Sequence, residues 1–86
     1  MEITGKIKVL NDTQTIGNNG FQKSEAVITT EDQYPQHILV EFIQDKCDLL
    51  NVFVIGQGVK IDINIRGREW INPEGVAKYF NAIQGW

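Results

Sequence analysis

One thiol and one imidazole, Cys47 and His37, are all that this sequence offers of the two side chains most used in transition-metal sites. A lone thiol, Cys47, excludes a disulfide within the chain, and His37 and Cys47 are joined by no third ligand at metal spacing. Cys47 falls on what reads as the apolar stripe of a short helix, where a free cysteine packs as a small hydrophobe; His37 reads as a strand or interface residue. A glycine-rich phosphate cradle is missing as well. Gly17-Asn18-Asn19-Gly20 lacks the lysine and the following helix that a P-loop requires. The chain therefore reads as a non-enzyme that needs no cofactor and no metal.

Long apolar runs are also absent. No stretch approaches the roughly 18 residues of a membrane span. Met1 to Lys8 alternates as a strand instead of forming an apolar signal-peptide core behind a basic start. These absences predict a cytoplasmic protein without a membrane partner. Nor is there an excess of positive charge: eight Lys and Arg stand against 11 Asp and Glu, a net charge of −3. That balance counts against a polyanion binder unless acid and base are kept apart. Residues 31–58 hold Glu31, Asp32, Glu41, Asp45 and Asp48 against Lys46 alone, whereas residues 59–86 carry a net charge of +1. The acidity is concentrated in the middle of the chain.

What is present fits one domain spanning residues 1–86. A chain this short buries roughly 60 to 65% of its unfolded surface, and with 42% hydrophobic and 22% charged residues it is not a disordered composition. Ile3, Gly5, Ile7 and Val9 alternate with Thr4, Lys6 and Lys8, the period of a half-buried strand. Asn11 to Gly20 is a turn-rich loop. A second strand runs from Phe21 to Thr30. After a loop at Glu31 to Gln36, a third runs from His37 to Ile43, with apolar residues on both parities that predict burial on both faces. From Gln44 to Phe53 the period changes, because Ile43, Cys47, Leu50 and Val54 share one helical face. Gly56-Gln57-Gly58 stops the helix, and Val59, Ile61, Ile63 and Ile65 begin the clearest strand. Gly67 reads as a bulge or bend, Asn72 to Gly75 as a hairpin turn, and Val76 to Trp86 as the last strand. Five strands with one short helix between strands three and four predict an all-β, five-stranded Greek-key OB-fold barrel.

The chemistry concentrates in the last hairpin. Arg66 and Arg68 alternate before Trp70, and Lys78, Tyr79 and Phe80 return after the turn. Cations neutralise phosphates and a ring stacks on any base, which suits a single-stranded nucleic acid. Trp70 is the first choice for stacking; sealing the barrel end is its alternative role. Arg66, Arg68, Lys78, Lys6 and Lys8 are the candidate phosphate contacts. Phe80 and Trp86 share a parity that excludes Tyr79, so all three are assigned to the core or a subunit interface. Seven Gln and seven Asn supply further donors and acceptors.

Several segments resemble the bacterial single-stranded DNA-binding (SSB) protein family, most closely the small SSB-like OB-fold proteins of Bacteroidetes. Thr4-Gly5-Lys6-Ile7 is similar to that family's first strand, and Asn19-Gly20 with Ala26-Val27-Ile28-Thr29-Thr30 to its glycine turn and second strand. His37-Ile38-Leu39-Val40-Glu41-Phe42 is similar to its third. Ile65-Arg66-Gly67-Arg68-Glu69-Trp70, a turn, Gly75 and Lys78-Tyr79 resemble its Leu-Arg-x-Arg-x-Trp hairpin. The resemblance implies sequence-tolerant binding of single-stranded DNA, or RNA, in replication, recombination or repair by a homo-oligomeric dimer or tetramer. It adds Phe42, which matches the family's strand-three phenylalanine, to the nucleic-acid-binding residues; core packing is that residue's alternative. Gln36 stands where the family has a stacking tryptophan, a platform worth about 1 to 3 kcal/mol per base. An OB-fold that docks a protein through the same aromatic hairpin is the competing function.

Overall fold

The computed structural model describes residues 1–17 and 20–86, so the Asn18-Asn19 part of the predicted loop lies outside the described residues. The order is β1 (Glu2–Leu10), β2 (Gln14–Ile16), β3 (Phe21–Thr30), β4 (His37–Ile43), a 3-10 helix (Gln44–Val52), β5 (Gly58–Ile71) and β6 (Ala77–Gly85). All five expected strands form. The three-residue β2 is an addition, an outer strand paired with the start of β3 inside the segment read as loop. Neighbours run β1-β5-β6-β4-β3-β2, and an additional β1–β3 pairing closes the barrel. This is the OB-fold.

Alternation decides what lies inside. Ile7 on β1, Ala26 and Ile28 on β3, Val40 and Phe42 on β4, and Val59, Ile61 and Ile63 on β5 form the core with Leu50 of the helix. Gly5 lets β1 cross β3 closely, since a Cβ there would run into the Thr29 carbonyl. β1 is paired on both edges at Gly5 and Lys6, and its register to β3 slips between Ile7 and Val9, leaving Lys8 in a bulge.

The helix departs from the expected stripe in a physically simple way. Cys47 and Leu50, three apart, lie on one side of a three-residue turn and are buried. Cys47 donates its thiol hydrogen to the Phe42 carbonyl at 3.2 Å. Val54 falls after the helix and is exposed, and Phe53 packs against the core in its place. β4 also differs from expectation. Only Val40 and Phe42 are buried, while Leu39, Glu41 and Ile43 turn to the outer surface.

Candidate nucleic-acid interface

β5 does not end with the barrel. Ile63 is its last buried residue, yet the strand continues to Ile71, paired with β6 from Ile63↔Gly85 to Ile71↔Ala77 without a slip. Gly67 therefore marks no bulge, and the alternation set up in the barrel persists to the hairpin tip. From Ile65 to Ile71 the pair extends by about 20 Å at the usual rise per residue. The tip is fixed by Asn72, whose Oδ1 accepts hydrogen bonds from the Glu74 and Val76 N–H groups at 3.0 and 2.9 Å. Gly75 supplies the positive φ, 82°, that the turn needs.

Unbroken pairing sorts the hairpin into two faces. Arg66, Arg68 and Trp70 stand opposite Ala82, Phe80 and Lys78 on the front face. Ile65, Gly67, Glu69 and Ile71 stand opposite Ile83, Asn81, Tyr79 and Ala77 on the back. Arg66, Arg68, Trp70 and Lys78 are thus brought together as the sequence implied. Trp70 is 46% exposed on the projecting hairpin, a position that does not seal the barrel.

The front face continues onto the outer surface of β3 and β4, and between them lies a cleft of about 600 Å³. Arg66, Arg68 and Phe80 form one wall, Ile16 and Phe21 of the β2–β3 turn the other, and Lys23, Glu41 and Gln84 line it as well. A polar relay crosses the cleft. Arg66 Nε donates to Gln84 Oε1 at 3.3 Å, Gln84 Nε2 donates to Glu41 Oε1 at 3.3 Å, and Lys23 Nζ sits 3.2 Å from Glu41 Oε2. Of the acidic middle only Glu41 lines the cleft. Its carboxylate is occupied by Lys23 and Gln84, while the Arg66 terminal nitrogens stay free of the relay.

Two groups of expected contacts do not join this site. Phe42 is 1% exposed, with its ring against Gly85 in the core, so it cannot meet a ligand. Lys6 and Lys8 project from the far end of the sheet: Lys6 pairs with Thr29, six residues along β3 from Lys23, a path of about 20 Å. Of the two roles assigned to Tyr79, Phe80 and Trp86, core or subunit interface, the core is excluded, because they are 72%, 46% and 57% exposed. Tyr79 lies on the hairpin's back face and Trp86 beside Phe53 and Lys60. Phe80 belongs to the front face, where the Arg68 guanidinium carbon lies 5.4 Å from its ring centroid.

Phe80, Lys23 and Gln84 are the contributions that sequence reading missed. Parity alone left Phe80 unplaced, and the expected turn, Asn72 to Gly75, would have set Tyr79 opposite Arg68; the observed register, Ile71↔Ala77, puts Phe80 there. Gln36 donates to the Tyr34 carbonyl at 3.1 Å, in the loop before β4. Among the described residues no cluster of three or more His, Cys, Asp or Glu is placed to hold a metal, and no helix is long and apolar enough to cross a membrane.

No curated protein matches the chain. Among solved structures it is similar to the mitochondrial single-stranded DNA binding protein Rim1 from S. cerevisiae, with a TM-score of 0.72 and 13% identity, over 100% of this chain and 87% of that one. At that identity the likeness speaks to the OB-fold alone. The chain belongs to the family described as Domain of unknown function (DUF3127), whose model matches residues 2–86.

Proposed function

We propose that this protein binds single-stranded DNA, or RNA, without sequence preference. Arg66, Arg68 and Lys78 neutralise phosphates, and Trp70 stacks on a base. Support comes chiefly from the front face of the hairpin, where cations and rings alternate with no core behind them and lead into the cleft. In OB-folds that bind oligonucleotides, the ligand lies on the second and third barrel strands between the loops after strands one and four. Here those parts are β3, β4, the β2 turn and the β5–β6 hairpin. The yeast protein of the same fold carries single-stranded DNA binding in its name. The cellular role that fits is replication, recombination or repair in the cytoplasm.

Titration with a fluorescent dT oligonucleotide at low and moderate salt, following tryptophan quenching in parallel, tests the reading. Salt-dependent binding with quenching is expected. Combining Trp70→Ala with Arg66→Ala and Arg68→Ala should abolish it while the fold persists. The same affinity in the triple variant would sink the site.

A homo-oligomer, dimer or tetramer, is part of the proposal. Ile65, Ile71 and Tyr79 leave the back face of the hairpin apolar and open, and a two-stranded ribbon is marginal on its own. Sedimentation at micromolar concentration should give a species larger than one chain. The same apolar back face favours the second reading, an OB-fold that docks a protein partner. Failure of wild-type protein to bind dT at low salt would bring that reading forward.

A further inference from the structure

We infer that Phe80 is a second base-stacking subsite, covered by Arg68 in the free protein and uncovered when Arg68 moves to a phosphate. The inference rests on the strand-binding reading and deepens it.

Phe80 is an apolar ring without a core to fill. The pairing Arg68↔Phe80 places it on the front face of a projecting ribbon, and it lines the cleft opposite Ile16 and Phe21. Packing does not account for it, since the ring is almost half exposed. Its companion is the Arg68 guanidinium, within the range of a cation–π contact. Among the described residues Arg68 has no acidic side chain in an ion pair, whereas Lys23 and Lys60 do.

Magnitudes decide which partner keeps the ring when a strand arrives. A cation–π contact at an exposed site is weaker than a base stacked on an aromatic ring. The displaced guanidinium also gains a phosphate, which it can grip with two parallel hydrogen bonds. Exchange therefore favours the base on Phe80 and the cation on the backbone. Spacing agrees. Trp70 and Phe80 are diagonal neighbours on the front face, about 7 to 8 Å apart by the geometry of antiparallel pairs, so neighbouring nucleotides with splayed bases reach both rings.

The test compares a dT oligonucleotide with an abasic phosphodiester oligonucleotide of equal length, both titrated against the full chain at low salt. Phe80→Ala and Phe80→Leu should each weaken dT binding at least about fivefold, the low end of the stacking range, and leave abasic binding no weaker, since Arg68 then has no ring contact to give up. Phe80→Leu keeps apolar bulk on the ribbon and removes only the π face, so a loss common to both variants is not misfolding. Arg68→Ala should weaken both ligands and lower the salt slope by about 0.7, one phosphate's worth on a single strand. If wild type binds dT and both Phe80 variants bind it equally well, the subsite is overturned and the strand-binding reading stands. If wild type binds neither ligand, both fall together.

Discussion

The ring of Phe42 occupies the space that a Cβ on Gly85 would take. Gly85 is buried at the end of β6, paired with Ile63, so β6 crosses the barrel wall directly over the ring. Gly85→Ala should force either ring or strand to move, at the usual cost of overpacking, about 1 to 3 kcal/mol. For a chain of this size that lowers Tm by roughly 10 °C. Thermal denaturation followed by circular dichroism measures it. Adding Phe42→Leu should recover part of the loss, and no recovery would mean that the two residues do not oppose each other.

Charge contacts should separate by position. Arg66→Ala should reduce the slope of log affinity against log salt by about 0.7 for a single strand. Lys6→Ala and Lys8→Ala should leave that slope and the dT affinity unchanged, because both lysines stand at the other end of the sheet. Fluorescence anisotropy over a salt series reads all three. A fall for Lys6→Ala equal to that for Arg66→Ala would extend the ligand path across the whole β3–β4 surface.

How much of this was legible in the sequence depends on how far apart the deciding residues lie. Val59, Ile61 and Ile63 announce their strand locally, and the same unbroken alternation puts Arg66, Arg68 and Trp70 together on the opposite face. Phe42 could not be placed from β4 alone, because Leu39 and Val40 are apolar on opposite parities. The choice is made by Gly85, 43 residues later, which leaves room for the ring. Lys23 enters the site through the register Glu25↔Glu41, which no local pattern specifies. Phe80 depended on the register of the Asn72 turn. β2 escaped because three residues, all exposed, show no alternation against a core.

The Asn72 side chain should govern the hairpin more than the barrel. It accepts two backbone hydrogen bonds at the tip, each worth about 0.5 to 1.5 kcal/mol. Asn72→Ala should let the ribbon fray from Ile71 and Ala77 inward, a local opening that leaves the core intact. Amide exchange should quicken between residues 68 and 80 and stay slow around Ile28 and Val40. Affinity for dT should drop as well, since Trp70 and Lys78 lose their fixed relation. Uniform acceleration through the barrel would show that hairpin and core unfold as one unit.

Glu41 is the site's built-in opponent of a polyanion. It lines the cleft, and its carboxylate holds Lys23 at 3.2 Å while accepting from the Gln84 amide. Glu41→Gln keeps the shape and an oxygen for Gln84, removes one negative charge, and frees Lys23 from the nearer of its two carboxylates, leaving Glu25 at 3.8 Å. A unit charge a few ångströms from a phosphate in a water-lined cleft is worth about 1 kcal/mol. The variant should therefore bind dT roughly fivefold more tightly. Its salt slope should steepen by up to about 0.7 as Lys23 becomes a phosphate contact. Wild-type and Glu41→Gln titrations at two salt concentrations decide the matter. Weaker binding by the variant would mean that Glu41 chiefly positions Gln84, and through it Arg66, so that losing the relay outweighs losing the charge.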